Sequence, residues 1–541
     1  MKNNLSVLCF GLLLVAACKQ KEPVDIIVTN AKVYTVDAGF GMAQAFAIRD
    51  GRFVDVGSTA HIEDRYSARE IIDANSKTIV PGLIDAHCHF YGLGLNRQQI
   101  DLEGTGSFEE VLERVQAFGK NKGSKFIYGR GWDQNNWETK EFPDKTALDR
   151  LFPDTPVILQ RIDGHAWLVN QKLLDMAGIT AGTPVENGEI VVRNGKLTGI
   201  LIDRAVELVN AVFPDPERNR QIRALTDAQQ ICFSYGLTTV NDAGLSRDVI
   251  ELIDSLQRMK KLDIRIYAMV GNHKKDIIYF LSRGVQKSDK LHVRSVKVFA
   301  DGALGSGGAV LKEPYSDRPG HYGTMVTPVD EIGKLARRIA ASDYQMNTHA
   351  IGDSANAVVL KAYARVLKGK KDRRWKIEHA QVVSPEDIGF FRQGIIPSVQ
   401  PTHATSDMYW VKDRLGEKRS REAYAYKNLL DEAGVIALGT DFPVEQVNPF
   451  LTFYAAVARK DTEGYPEGGF QPENALSREE ALKGMTIWAA YSNFEDEEKG
   501  SIEPGKLADF VILDRDIMEV PEEGLPGTEV EGTFLGGEKV Y

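Results

Sequence analysis

Apolar and polar positions change rhythm twice along the chain. Toward the N-terminus, "DIIVTNAKVYTVD" and "AFAIRDGRFVDVGS" predict strands, the second folded back at Asp50-Gly51, a two-residue hairpin turn. "REIIDANSKTIV" adds another pair, and the last residues behave alike: "ADFVILDRD" and "GTFLGGEKVY" are strand-like, with Gly536-Gly537 as the turn. Between these ends, apolar runs of four to seven residues alternate with helical stretches, the pattern of repeated strand-helix units around a parallel sheet. Eight strand cores stand out: "GLIDAH", "GLTTVNDAG", "DIRIYAMVG", "RSVKVFADG", "YQMNTHAIGD", "RWKIEHAQ", "GIIPSVQPTH" and "GVIALGTDFPV".

Their spacing predicts an α/β fold, a (β/α)8 TIM-like barrel. Lys297 to Asp441 spans 144 positions over four strand-to-strand steps, 36 residues each, close to the ~31 per unit of an eightfold barrel of ~250 residues. His87 to Lys297 spans 210 positions for only three steps, so roughly 100 residues are inserted in the first part of the barrel at that unit length. The insertion is expected at about 120–205, where "KFIYGRGWDQNNWE", "PVILQRIDGHAWLVN" and "EIVVRNGKLTGILID" carry their own strand signals and an Asn194-Gly195 turn. The barrel is then expected over 81–499, between strand-rich ends at 24–80 and 500–541.

With 541 residues, 43% of them apolar, the chain buries a large core. A formal net charge of -10 argues against a nucleic-acid partner, which asks for a basic face. The first residues, "MKNNLSVLCFGLLLVAACKQKEP", join one Lys to an apolar run from Leu5 to Ala17 that is too short to span a bilayer. They read as a secretory signal over 1–17. The Val15-Ala16-Ala17-Cys18 ending resembles a bacterial lipobox, with Val15 where that consensus prefers Leu. The resemblance implies a lipidated Cys18, a linker over 18–23, and a membrane anchor of several acyl chains. The bland alternative is an ordinary cleaved signal and a free protein. Lys19, where inner-membrane retention uses Asp, favours the outer membrane, with the body facing periplasm or exterior. Cys88 and Cys232 then remain as thiols, too few for a disulfide framework in an exported protein.

Candidate chemistry gathers at predicted strand ends. In "GLIDAHCHF", His87 and His89 share one face of a strand while Cys88 points opposite. Barrel strands deliver functional residues at their C-terminal ends, and two imidazoles there suit one cation. His-x-His alone is weak. Its weight comes from His349 in "NTHAIGD", His379 in "IEHAQ" and Asp441 in "LGTDFPV", each at the same end of another strand. Lys297 in "SVKVFADGALG" is the odd member, since a buried ammonium is costly and ligates nothing. An ion pair with Asp301 is its bland explanation.

Taken together, the His-x-His, Lys297, His349, His379 and Asp441 resemble the amidohydrolase superfamily. "GWDQNNW", "DGHAWLVN", "VKVFADGALGS", "THAIGD", "EHAQ" and "GTDFPV" look like its branch containing N-substituted formamide deformylases. The resemblance covers nearly all of the mature chain. It implies that both ends assemble into a small β-sandwich, and that Lys297 is carboxylated and bridges two divalent ions. His87, His89 and Asp441 would hold one ion and His349 and His379 the other, with Zn favoured on ligand type over Mn, Co or Fe. The implied reaction is metal-dependent hydrolysis of an amide, formamide or N-acyl bond. Metal-bound hydroxide is the nucleophile, and Asp441 is the general base that returns its proton to the leaving amine. Asp85 and Glu378 are placed to orient the ligands.

For the small-molecule amide substrate, Trp132, Asp133, Asn136 and Trp137 offer aromatic walls beside polar handles. His165 and His403 are expected near the carbonyl oxygen as it turns anionic. His61, His273, His292 and His321 read as surface or structural, and "DGALGSGGAV" lacks phosphate-loop spacing. Two rivals stay open: a one-metal deaminase or cyclic amidohydrolase with unmodified Lys297, and a lipoprotein that binds without turnover. A homo-oligomer is compatible with the composition.

Overall fold

Strand alternation decides what faces where in the barrel. In "QMNTHA", Gln345, Asn347 and His349 point one way, while Met346 joins the apolar layer under the helices and Thr348 meets Tyr363 of the helix Asp353–Leu367 at 2.6 Å. The polar set fills the barrel interior and the apolar set packs outward. The computed structural model in which this is seen describes residues 21–122, 126–210, 212, 217–370 and 372–541. The expected signal over 1–17 and Cys18 lie outside the described residues.

The eight barrel strands are β1 (Leu83–Cys88), β2 (Leu237–Leu245), β3 (Arg265–Val270), β4 (Leu291–Phe299), β5 (Gln345–Ala350), β6 (Lys376–His379), β7 (Ile396–Val399) and β8 (Ala437–Leu438). Each pairs in parallel with the next. All eight fall on the strand cores read from the sequence. The ring closes where Asp441 N donates to the His87 carbonyl at 2.8 Å, a close approach that Gly439 permits because a Cβ there would stand 2.5 Å from His87 N. Helices cover the outside. Arg247–Arg258 turns Val249, Ile250, Leu252, Ile253 and Leu256 inward at helical spacing, each buried, and each such side chain contributes roughly 2 kcal/mol.

Two further sheets come from the chain ends. One orders Arg52–Gly57, Ala45–Arg49, Glu22–Thr29 and Tyr66–Asp73. The other pairs Thr78–Pro81 with Phe510–Leu513 antiparallel, so residues more than four hundred positions apart share a ladder. Between them Phe46, Phe53, Phe510 and Phe534 form an aromatic core, with Phe46 and Phe510 centroids 5.0 Å apart. A buried ion pair fastens this unit to the barrel: Arg265 of β3 grips Asp509 through two hydrogen bonds of 2.7 and 2.9 Å.

The inserted residues between β1 and β2 make a six-stranded sheet of their own, from Ile100–Asp101 to Lys196–Asp203, with its own apolar core. Its first strand therefore lies upstream of position 120. Asn194 and Gly195 both adopt positive φ between its last two strands, as the hairpin turn requires. The sheet stands over the open end of the barrel and forms one wall of the cavity there.

Candidate metal centre

The six sequence-derived ligand candidates converge at the C-terminal rim. His87 and His89 stand at the end of β1, Lys297 on β4, His349 on β5, His379 at the end of β6 and Asp441 just past β8. His379 and Asp441 both take left-handed backbone, φ 73° and 62°, which costs a non-glycine residue about 1 kcal/mol or more. For Asp441 the cost is met by its bond to the His87 carbonyl and by Thr440, which donates twice to buried Asp85.

Hydrogen bonding sets the tautomer of each imidazole. His87 Nδ1 lies 2.5 Å from Glu378 Oε2, His89 Nδ1 3.0 Å from the Ala243 carbonyl, and His379 Nδ1 2.8 Å from Gln400 Oε1. His349 Nε2 makes a longer contact, 3.5 Å, to the Gly302 carbonyl. These oxygens accept only, so each ring donates through that nitrogen and keeps a lone pair on the other, which at His87 Nε2 faces Lys297 Nζ. His89 Nε2 then faces Asp441 Oδ1 at 3.2 Å, and His87 Nε2 faces the same atom at 3.6 Å. Acceptor against acceptor at that range repels unless a cation lies between them, and Asp441 Oδ1 is buried without a hydrogen bond among the described residues. The rings crowd together: His349 and His379 centroids are 4.6 Å apart, His87 and His379 4.9 Å. The donor set fits a divalent cation.

Burial tunes the same groups. Desolvation, reinforced by neighbouring positive charge, holds His349 and His379 well below the ordinary imidazole value and so keeps them neutral. Asp441 stays ionised against its own burial, because the hydrogen bond from His403 holds its carboxyl well below the usual range. Lys297 Nζ sits 2.9 Å from His87 Nε2, and burial lowers its pKa to about 8. No Lys297–Asp301 ion pair forms among the described residues. Asp301 instead accepts from the backbone N–H groups of Val310, Ile351 and Gly352, at 2.8 to 3.0 Å.

His403 differs from the other rings. Nδ1 meets Glu445 at 2.9 Å and Nε2 meets Asp441 Oδ2 at 3.3 Å, so both nitrogens face carboxylates. Although burial opposes charge, those two carboxylates push its pKa up to about 10. His379, His403 and Asp441 are spaced closely enough for a metal. A doubly donating imidazolium nevertheless has no lone pair to offer, and His403 is better described as the cation that steadies Asp441.

Above the rim lies a cavity of about 660 Å³. Asp133, Asn136, His165 and His403 line it. Trp132 and Trp137 do not. Their indoles are buried in the core of the inserted sheet, 6.0 Å apart, donating to the carbonyls of Leu159 and Thr105. The cause is a bulge at Gly131, where the register with the neighbouring strand slips between Arg130 and Trp132 and φ reaches +116°. Tyr128 and Arg130 face the cavity by ordinary alternation, and the bulge turns Trp132 away from it.

Two groups escaped the sequence reading. Asp203, at the end of the inserted sheet, receives His165 Nδ1 at 2.8 Å and raises its pKa against burial. Arg161 is buried between Asp133 and Asp163, the latter at 2.6 Å. A charge inside the apolar run "PVILQRI" was its available signal, the same that marked Lys297.

Fold and rim chemistry together define a metal-dependent hydrolase. The chain belongs to the amidohydrolase family, whose model matches residues 70–541. It is 34% identical over 540 residues to Protein LONG AFTER FAR-RED 3 of Arabidopsis thaliana, across 96% of this chain and 91% of that one. It is 26% identical to N-substituted formamide deformylase of Arthrobacter pascens, across 95% of this chain and 97% of that one. Among solved structures it resembles an uncharacterized metal-dependent hydrolase from Pyrococcus horikoshii, with TM-score 0.75 and 28% identity over 92% of this chain and 99% of that one. The protein is thus a metal-dependent amidohydrolase, an enzyme of carbon–nitrogen bonds.

Proposed function

We propose that this enzyme hydrolyses a linear amide, formamide or N-acyl bond and releases an amine, with Asp441 as general base. The carrying observation is the set of bare imidazole nitrogens turned toward an ionised carboxylate on the floor of a cavity large enough for a small molecule. His87, His89 and Asp441 would hold one divalent ion, and His349 and His379 a second, with zinc the best match to imidazole and carboxylate donors. The cation supplies Lewis acidity toward a carbonyl oxygen and brings the pKa of water from about 15.7 to about 7.

The remaining work falls to the protein. Asp441 accepts a proton from water at Oδ and delivers it to the leaving nitrogen. His403, clamped by Glu445, keeps Asp441 oriented. His165, held by Asp203, presents Nε2 toward the cavity beside His349, ring centroids 5.2 Å apart, where an acyl oxygen turning anionic would lie. With its pKa drawn down to about 8, Lys297 carries enough neutral amine to add to carbon dioxide. The N–C bond would form and one proton would leave, and the resulting carbamate would offer two anionic oxygens as further donors to divalent ions.

The test loads the purified protein with Zn and follows amine release from N-formyl, N-acetyl and cyclic amides, with Asp441→Asn as control. Undiminished turnover in that variant removes the general base. Metal analysis distinguishes two ions per chain from one, the latter favouring a mononuclear deaminase. Carbon dioxide depletion during loading lowers occupancy if Lys297 is carboxylated. The lipid anchor at Cys18 and outer-membrane placement belong to the same proposal, and the mass of the N-terminal peptide from membranes tests them.

A further inference from the structure

Beyond β6 and β7, three side chains spend their hydrogens on one another. Gln381 follows the end of β6, Asp407 closes the helix Pro401–Asp407 after β7, and Tyr424, fully buried, joins them. Gln381 Nε2 donates to the Tyr424 oxygen at 2.7 Å and to Asp407 Oδ2 at 3.3 Å, and the Tyr424 hydroxyl donates to the same Oδ2 at 2.6 Å. That accounts for both amide hydrogens and the phenol hydrogen. Only acceptors are left over: neither Asp407 Oδ1 nor Gln381 Oε1 receives a hydrogen bond among the described residues. Both residues line the cavity, and Gln381 is otherwise buried, at 4% exposure. A bare amide oxygen so placed asks for a donor from the cavity.

Charge narrows what that donor is. Asp407 makes no ion pair among the described residues, and the acids near it are engaged: Asp133 with Arg161, Asp441 and Glu445 with His403. His403, committed to those two carboxylates, acts on Asp407 only at a distance. Burial, with Glu445 and Asp133 adding repulsion, pushes the Asp407 carboxyl up to about 7 against the pull of His403 and Tyr424. Surroundings that resist a negative charge are relieved by a positive one. A hydroxyl satisfies one acceptor, whereas an ammonium brings three donors and the charge.

The helix sets where this lies along the substrate. His403 and Asp407 are four residues apart on one helix face, about 6 Å at 1.5 Å per residue. His403 touches Asp441 Oδ2, the side from which the leaving nitrogen takes its proton, while His165 stands by the acyl oxygen. Asp407 therefore belongs to the amine side. Trp410, three residues on, lines the same cavity and offers ring surface to a methylene chain.

We infer that Asp407 and Gln381 form an ammonium subsite, and that the enzyme takes N-acyl diamines whose free ammonium docks there, roughly four to six carbons from the scissile nitrogen on that ~6 Å spacing. This rests on the amide-hydrolysis reading and names its substrate class.

The experiment uses matched pairs: N-acetylputrescine and N-acetylcadaverine against N-acetylbutylamine and N-acetylpentylamine, which carry hydrogen in place of the second amine. In the metal-loaded wild type kcat/KM should favour the diamine by about 10- to 100-fold, mostly through KM, as charge-assisted bonds of this kind allow. In Asp407→Asn the ratio should collapse toward one, and Gln381→Met should lower it part of the way. Equal handling of both members by the wild type, or preference for the alkylamide, overturns the inference. So does an Asp407→Asn enzyme slowed on both members with the ratio preserved, which marks a structural role through Tyr424. If neither member is cleaved, the amide-hydrolysis reading fails for these compounds, and calorimetric binding of the same pairs decides the subsite alone. Tighter binding of the diamine, lost in Asp407→Asn, upholds it, and equal affinity or no binding refutes it.

Discussion

The barrel rim and the inserted sheet face each other across one cavity but obey different rules. At the rim, function follows strand direction: every parallel strand presents its last residues to the same opening, so His87, His89, Lys297, His349, His379 and Asp441 meet regardless of what lies between them. In the inserted sheet, whether Trp132 shares the cavity face of Tyr128 and Arg130 depends on a single bulge. The lesson concerns inference as much as architecture. Residues whose position follows from topology are easy to read from a sequence, and those whose position follows from one glycine are not.

This contrast is open to experiment, and the largest effect should come from the rim. Asp441→Asn should lower kcat by ~10²–10⁴-fold, the usual range for loss of a positioned acid–base group, and should lower bound metal as well. A variant that keeps its metal and its rate would break the comparison at its strongest point. Glu378→Gln, which weakens the hold on His87 Nδ1, should reduce metal affinity by ~10–100-fold while the fold survives, measured by competition with a chelator.

On the inserted side the expected effects are on stability. Trp137→Phe removes the indole donor from the Thr105 carbonyl and should lower stability by ~1–3 kcal/mol in denaturant melts, with KM unmoved. A large KM change would put Trp137 back in the pocket. The smallest effect is acid sensitivity. Burial would raise the Asp163 pKa, but Arg161 beside it holds it below the ordinary carboxylate value. A depressed folded pKa means that its contribution is complete above the unfolded value of about 3.9 and is lost as pH falls through the folded one. Asp163→Asn should therefore flatten the acid limb of the stability curve by at most about 1.4 kcal/mol per pH unit. An unchanged acid limb would show that Arg161 draws no charge stabilisation from that side.

Much of the site was legible because its residues were out of place where they stood. A lysine inside "SVKVFADG" and histidines closing apolar runs announce themselves against their neighbours. The tryptophans of "GWDQNNW" announced themselves too, and misled, since an aromatic reads the same whether it lines a pocket or fills a core. His403 was placed at the rim from its position after β7, yet its role as a charged partner of Asp441 follows only from Glu445 reaching it across forty-two positions.

What the chain determined by itself is the order of strands and the kind of atom each delivers to the opening, because period-two alternation and strand polarity are local properties of the backbone. What the tertiary structure alone decided is which nitrogen of each imidazole keeps its lone pair, which arginine is gripped by carboxylates and which by carbonyls, and whether Trp132 stays on the cavity face of the inserted sheet. Those depend on acceptors brought from distant segments and on a register slip at one glycine. A proton's position and a charge's partner are set by what folds beside them.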